Sequence, residues 1–468
     1  MKKIRVICIV LCLLLCMQPV LEVSAAEPAA SCAGLDATAP LGGEEKVLET
    51  AKAAVVYERG SDTMVYGYNL DERIYPTSMV KLMTAIVALE NGNLDDIVTV
   101  SKAALDTVAI GSVSANLVRW EEISLRDLMY CMMVASANDA SAVIALHVGG
   151  SIDMFLLMMN EMAQNLGCSD THFSNVHGLH DEDTYTTARD ICKILDYALE
   201  NETFRQMFEA TSYEVPATNK SEARSIKTTN NMMLKDKTKY YDARVTGGKT
   251  GATDIAGRCL AVTANVNGME VIAIVMGAEP KYTEDKLSVI RYGSFEEMAD
   301  LLNYTADGFE FGQLFYEGQV IDRFPVSGGE CDVAVGPKES INCVIPKGLL
   351  FEEMTWDVRA NASLSAPVSQ GDVVAQLDVW YNEICIASTA LVAMNRVSIF
   401  EAFKEPQLNP QEQEDQHGAV IAMVFVGIAT LVILAVMGLV AYRMIQVAVV
   451  KAKIRRRRMK RRKHAELE

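Results

Sequence analysis

The stretch Arg258-Cys259-Leu260-Ala261-Val262-Thr263-Ala264-Asn265-Val266-Asn267-Gly268-Met269-Glu270-Val271-Ile272-Ala273-Ile274-Val275-Met276 sets the architecture of the first half of this chain. Residues 258–266 and 269–276 are two apolar, β-branched runs, and Asn267-Gly268 between them accepts the positive φ that a two-residue hairpin turn demands. Toward the N-terminus the pattern repeats: residues 53–58 and 63–69 flank Arg59-Gly60-Ser61-Asp62, a second hairpin signal. Between the hairpins the period changes. Apolar spacing turns helical over residues 79–90, and Asn91-Gly92 stops it. Residues 125–200 read as largely helical, with Ser124 and Asp127 spaced as a capping box. Strands at both ends with helices between them predict one α+β domain whose termini share an antiparallel sheet.

Three short patterns in that domain carry chemistry. Ser78-Met79-Val80-Lys81 opens the first helix, so residues i and i+3 share a face and the Lys81 amine can reach the Ser78 hydroxyl. A helix N-terminus brings backbone N–H groups and the positive dipole end, which favour an oxyanion. Serine needs an adjacent base to become a nucleophile, and lysine serves only when burial or a second cation lowers its pKa from about 10.4. Ser136-Ala137-Asn138 puts a hydroxyl and a carboxamide on a tight loop between helical runs 125–135 and 139–148. Lys249-Thr250-Gly251 follows Gly247-Gly248 and leads toward the strand near Arg258. Taken singly, these read as a helix start with a solvated lysine, helix punctuation and a basic turn before a strand. Together they stand in order, 58 and 113 residues apart, on a helix start, an interhelix loop and a strand edge that can converge on one cleft.

These motifs resemble those of the low-molecular-mass penicillin-binding proteins, serine-type D-alanyl-D-alanine carboxypeptidases. The resemblance rests on Pro76-Thr77-Ser78-Met79-Val80-Lys81-Leu82-Met83-Thr84, Ala135-Ser136-Ala137-Asn138-Asp139-Ala140 and Gly248-Lys249-Thr250-Gly251-Ala252-Thr253. Gly178-Leu179 and Thr186-Thr187-Ala188-Arg189-Asp190 add to it, and it covers residues 50–400. It implies a penicillin-binding/β-lactamase-like transpeptidase domain, an antiparallel sheet with a helical cluster, followed by a small all-β domain. It implies acylation of Ser78 by the terminal D-Ala-D-Ala bond of peptidoglycan stem peptides, release of D-alanine and hydrolysis, with β-lactams acylating Ser78 and remaining there. By the same resemblance Lys81 is the base, and Ser136 lies between Lys81 and Lys249 to relay a proton to the leaving amine. Asn138 binds the substrate amide, Lys249 and Thr250 hold the terminal carboxylate, Gly251 belongs to the same substrate-binding set, and the N–H groups of Ser78 and Ala252 form the oxyanion hole. No cofactor is implied. One departure is the C-terminus: family members often end in an amphipathic interfacial helix, whereas this chain has an apolar span and a long basic tail.

Other readings use the same residues. A class A β-lactamase needs a deacylating glutamate, for which Glu182 is available, and an endopeptidase or esterase could share the fold. A catalytically silent wall-binding scaffold would have no chemical use for Ser78 and Lys81 together. His172, His177 and His180 beside Asp181, Glu182 and Asp183 imitate a metal site, but their irregular spacing in a Gly- and Asn-containing loop predicts hydrogen-bonded loop residues and no metal. Met132-Met133 and Met154, Met158, Met159 and Met162 read as helix-core filler.

At 468 residues, 50% hydrophobic and 22% charged, the chain builds a real core and two or three folding units. Its net charge of −18 argues against nucleic acid as partner, but the charge is unevenly placed. Residues 1–26 carry +2 and residues 443–468 carry +9, leaving −29 on residues 27–417. A basic start, an apolar run over 6–17 and Val23-Ser24-Ala25-Ala26 predict a secretory signal peptide at 1–26. Leu13-Leu14-Leu15 before Cys16 lacks the small residue a lipoprotein signal requires. Residues 418–442 are uncharged and long enough to cross a hydrocarbon core of about 30 Å, and the basic block after them, Arg455-Arg456-Arg457-Arg458 included, reads as the positive-inside signal. The expected plan is a loose segment at 27–46, the catalytic domain at 47–305, an all-β domain at 306–403, a tether at 404–417, one membrane span at 418–442 and a cytoplasmic tail at 443–468. That places the chain in a bacterial cell membrane with its catalytic domain outside. In the β-domain, runs at 319–324, 332–335, 373–379 and 383–389 read as strands. No C-x-x-C occurs; Cys331 with Cys343 is the one sequence-local disulfide suggestion, and most other cysteines read as small buried hydrophobes.

Overall fold

Asn267 and Gly268 carry positive φ, 53° and 89°, and Val266 faces Met269 across the hairpin they close. The computed structural model describes residues 34–36, 39–43, 47–235, 237–283, 289–361, 363–399 and 421–445. The expected signal peptide, the tether, most of the basic tail and Cys32 lie outside the described residues. Two units divide after Ser398.

In the first unit, β1 (Ala53–Glu58), β2 (Thr63–Tyr68), β3 (Val245–Thr253), β4 (Gly257–Val266) and β5 (Met269–Ala278) form an antiparallel sheet in the order β2-β1-β5-β4-β3. The chain's early and late strands therefore meet at the β1–β5 pair, Ala53 opposite Met276 and Glu58 opposite Val271. The apolar runs are continuous because both faces are covered. Ile272, Ile274 and Met276 join the core of the helical cluster, whereas Val271, Ala273 and Val275 face Phe295, Met298, Leu301 and Leu302 of a late helix spanning Gly293–Gly308. Each such side chain, fully buried, contributes about 1.5–3 kcal/mol, so the sheet is a rigid plate carrying β3 as one edge.

The helical cluster comprises α1 (Val80–Asn91), α2 (Leu125–Val134), α3 (Asn138–Gly149), α4 (Ile152–Asn165) and α5 (Ala188–Leu199). Every residue of α1 from Val80 to Ala88 is buried, Lys81 included. Ser124 caps α2, its hydroxyl oxygen accepting from the Asp127 N–H at 3.0 Å. The expected helical stretch is interrupted: no helix covers residues 166–187, which instead form two isolated bridges, Thr186 with Ile74 and His172 with Tyr185 within the segment.

The second domain is all-β: β6 (Phe309–Phe315), β7 (Asp322–Phe324), β8 (Val333–Pro337), β9 (Ile341–Pro346), β10 (Thr355–Ala360), β11 (Val373–Tyr381) and β12 (Ile384–Ala393). β6 pairs with β9, and the rest form a sheet in the order β7-β8-β12-β11-β10. Three strands go beyond the four runs expected from sequence. β6 is interrupted by Gly312, whose missing side chain makes room for Ile345 of β9; β9 ends in Pro346; β10 is a short, mostly exposed edge strand. The suggested Cys331–Cys343 bridge does not form: both thiols are free, Cys343 buried opposite Gly312 and Cys331 exposed beside Asn395. Cys131, Cys168, Cys192, Cys259 and Cys385 are buried.

Among the described residues the second unit holds one helix, Ile421–Ile445, of 25 residues. At about 1.5 Å rise per residue it exceeds the ~30 Å a membrane span needs.

Candidate active site

Ser78 sits in a single tight helical turn, Thr77–Met79, that runs directly into α1. Thr77 before it is held at φ 52°, a left-handed conformation that β-branched residues rarely adopt. Two glycine backbones press closely on this turn. A Cβ on Gly178, itself at φ 82°, would lie 1.8 Å from the Thr77 carbonyl oxygen. A Cβ on Gly251 would lie 1.9 Å from Thr77 Oγ1 and 2.9 Å from the Ser78 nitrogen. Only bare backbone fits at either place.

Lys81, one turn along, points its amine back under Ser78. Nζ lies 3.1 Å from Ser78 Oγ, 2.7 Å from Asn138 Oδ1 and 2.6 Å from the His177 carbonyl oxygen. Its side chain is fully buried. Burial first, and then repulsion by Lys249, hold its pKa well below the ordinary lysine range, with Asp139 opposing them. The three contacts differ in quality. The two short ones go to oxygens that can only accept, whereas Ser78 Oγ–H can also donate. A neutral amine therefore spends its two N–H groups on Asn138 and His177, and its lone pair faces Ser78.

Ser136 occupies the turn between α2 and α3 at φ 60°. Its oxygen accepts from Lys249 Nζ at 2.7 Å, and Lys249 also donates to the Thr250 carbonyl at 3.1 Å. Lys249 is 1% exposed, and burial brings its pKa down to about 7. Lys249-Thr250-Gly251 lies within β3, the edge strand of the sheet, where Lys249 pairs with Ala261, Thr250 with Leu260 and Gly251 with Cys259. That edge position aims Lys249 at Ser136 and brings Gly251 against Ser78. Ala252 follows on the same edge, opposite Arg258.

Ser78, Lys81, Ser136, Asn138, Lys249, Thr250 and Gly251 thus fall in one place. Sequence reasoning missed three contributors. His177 supplies a main-chain carbonyl to Lys81, and its ring, buried and beside Lys81, is held neutral with a pKa near 4. Gly178 clears the Ser78 turn. Thr229 reaches the Thr250 hydroxyl from a neighbouring loop. The other loop histidines make local contacts: His172 Nδ1 meets the Asp183 carbonyl oxygen at 2.6 Å, and His180 stacks edge-on against Tyr75. Among the described residues no three His, Cys, Asp or Glu side chains converge on a metal-sized point. Glu182 is exposed. A cavity of about 540 Å³ opens beside the β3–β4 turn, lined by Lys52, Ala252, Thr253, Arg258, Glu279 and Tyr282, and Ser78, Lys81, Ser136, Asn138 and Lys249 are not among its walls.

A family model described as D-alanyl-D-alanine carboxypeptidase matches residues 43–280, and one described as penicillin-binding protein 5, C-terminal domain, matches residues 309–398. The chain is 31% identical to D-alanyl-D-alanine carboxypeptidase DacA of Haemophilus influenzae over 356 residues, which is 74% of this chain and 85% of the relative. It is 27% identical to D-alanyl-D-alanine carboxypeptidase DacF of Bacillus subtilis over 334 residues, 70% of this chain and 80% of the relative. Among solved structures, penicillin-binding protein 5 from Haemophilus influenzae superposes with a TM-score of 0.59 at 26% identity, covering 75% of this chain and 98% of the other. With one family model over residues 43–280 and a relative 31% identical across 74% of the chain, the chain belongs to the D-alanyl-D-alanine carboxypeptidase family.

Proposed function

We propose that this chain is a serine-type D-alanyl-D-alanine carboxypeptidase that removes the terminal D-alanine from peptidoglycan stem pentapeptides through an acyl-enzyme on Ser78, and that β-lactams inhibit it by acylating the same oxygen. The observation that carries this reading is the fully buried Lys81 amine, 3.1 Å from Ser78 Oγ, with both of its shorter contacts going to acceptors.

The steps follow from those contacts. Ser78 Oγ attacks the scissile carbonyl carbon while its proton passes to Lys81 Nζ. The N–H groups of Ser78 and Ala252 receive the oxyanion. Because Lys249 donates into the Ser136 oxygen, the Ser136 proton points elsewhere and passes to the leaving nitrogen as the C–N bond breaks, while the proton that Lys81 took from Ser78 replaces it on Ser136 and leaves Lys81 neutral again. Because Asn138 Oδ1 is engaged by Lys81, its Nδ2 group faces away and donates to the acyl-side carbonyl of the substrate. Water then attacks the ester, and Lys81 takes the water's proton and returns one to Ser78. Lys249, with Thr250 beside it, holds the terminal carboxylate; the arriving anion favours the charged amine that burial alone disfavours. Gly251 acts by closeness, letting β3 lie against the Ser78 turn.

The test is D-alanine release from a pentapeptide ending in D-Ala-D-Ala, run beside the same peptide amidated at its C-terminus. The free acid is expected to be hydrolysed, and the amide, which lacks the charge Lys249 meets, to be slower by about 10²-fold or more. Equal rates would exclude carboxypeptidase specificity.

For the cellular arrangement we propose one membrane span at 418–442, a cytoplasmic basic tail at 443–468, a signal peptide at 1–26, and catalytic and β-domains at 47–305 and 306–403 on the extracytoplasmic side. The apolar Ile421–Ile445 helix supports the span, and the lysines and arginines after it support the sidedness. A chain covering residues 27–403 is expected to be soluble and to react with fluorescent penicillin at the full-length rate. A folded truncation that fails to react would give the span or tail a role in the chemistry.

A further inference from the structure

Asp139 follows directly on the Ser136-Ala137-Asn138 motif, yet none of the roles above uses it. It is 4% exposed, in the first turn of α3. Its carboxylate accepts four hydrogen bonds: from Ser114 Oγ at 2.6 Å, from the N–H of Ala115 at 2.9 Å, of Leu117 at 3.0 Å and of Ala140 at 2.9 Å. Three of the four come from one short segment, 114–117, whose turn is tightened by the Asn116 N–H donating to Ser114 Oγ at 2.8 Å. The same segment reaches Asn138 itself, whose N–H donates to the Val113 carbonyl at 2.8 Å. Asn138 is then joined to Lys81 through Oδ1 at 2.7 Å. A continuous chain of contacts runs from the 113–117 segment through Asp139 and Asn138 to the amine beneath Ser78.

We propose that Asp139 is a positioning residue for the acylation pair. Its carboxylate fastens the 113–117 segment onto the start of α3, which fixes the Asn138 amide, and the amide in turn fixes the Lys81 lone pair on Ser78. It does this as an anion, since four donors converge on it and a neutral side chain of the same shape would present an N–H₂ group to some of them. The anion has a second effect. Lys81 is faced by Lys249 from β3, by Asp139 from α3 and by the neutral His177 from the 166–187 loop. Of these, Asp139 alone favours the protonated amine.

The two effects separate in one experiment, which rests on Lys81 being the base. Full-length protein is reacted with fluorescent penicillin across a pH series, and the rate of Ser78 labelling is measured. Asp139→Asn is expected to slow acylation by about 10²-fold, the scale of an ångström-sized misplacement. It is also expected to move the acid limb of the rate profile to lower pH, because the carboxylate that favoured protonated Lys81 is gone. Ser114→Ala removes one fastening bond and keeps the charge: acylation is expected to slow about three- to tenfold with the acid limb unmoved. An acid limb unmoved in Asp139→Asn, or a wild-type acylation rate in Ser114→Ala, overturns the proposal; the second arm stands even when Asp139→Asn fails to fold. Should wild-type protein itself show no Ser78-dependent labelling, it is the assignment of the acylation pair that fails and not the role of Asp139 alone.

Discussion

Lys81→Ala is expected to retain its fold and to react with penicillin at least about 10⁴-fold more slowly than wild type, approaching the blank set by Ser78→Ala. Removing a lone general base costs about 10²–10⁴-fold, and groups that act as a unit lose more. Here the unit is tight, because the same amine that takes the Ser78 proton also joins Asn138 and the His177 carbonyl. Deleting it leaves the serine without a base and two acceptors without a donor. Stopped-flow or gel-based labelling measures the effect, and a Lys81→Ala rate within tenfold of wild type would remove lysine from the proton transfer.

The same burial gives the pH dependence a definite sign. Lys81 acts only as the neutral amine, and its folded pKa is depressed, so acylation is lost as pH falls through that depressed value and is already restored well below the 10.5 of an ordinary lysine. In the unfolded chain the amine returns to its ordinary value. Between the two values the unfolded state binds the extra proton, so this group's contribution to stability rises with pH across that window. Lys249, depressed to about 7 by burial, adds to the same trend from pH 7 upward.

How much of this was legible depends on where the information resides. Ser78, Lys81, Ser136 and Lys249 were readable because hydroxyls and amines at fixed spacing have few other reasons to recur in order. The β4–β5 hairpin was readable because Asn267-Gly268 takes positive φ where most residues do not. The His177 contribution was not, since a main-chain carbonyl has no residue signature, and only the irregular path of residues 166–187 delivers it to Lys81. The extent of β3 around the Lys249 motif was not readable either, since Gly247, Gly248 and Gly251 depress strand propensity while the sheet needs their thinness: a Cβ at Gly248 would meet the Asn230 side chain at 2.2 Å. β10 escaped for a different reason: Trp356, Val358 and Ala360 alternate with Thr355, Asp357 and Arg359, but the edge strand is mostly exposed and carries only two large apolar side chains. Local pattern records what a residue prefers, and close approach between distant backbones is recorded only in the fold.

That last point yields the second large effect, at Gly178. Gly178→Ala is expected to slow Ser78 acylation by at least about 10²-fold. The added Cβ would lie 1.8 Å from the Thr77 carbonyl oxygen and 2.3 Å from its carbon, both backbone atoms that no rotamer change can move aside. The turn carrying Ser78 has no room to retreat, because Gly251 of β3 stands against Thr77 and the Ser78 nitrogen on another side. Relief must come from shifting either the Ser78 turn or the loop that brings the His177 carbonyl to Lys81, and each shift spoils the pair. Gly178 also has φ 82°, so alanine there carries a conformational strain of about 1–3 kcal/mol whatever its neighbours. Gly268→Ala separates the two causes. Gly268 has φ 89° and no atom within 4 Å of its would-be Cβ, on a hairpin turn none of the site residues share. It is expected to lose comparable stability in denaturant unfolding and to keep the wild-type acylation rate. If Gly268→Ala and Gly178→Ala lowered stability alike and both acylated at the wild-type rate, the close approach at Thr77 would be without consequence for Ser78, and the wedge would be mere packing.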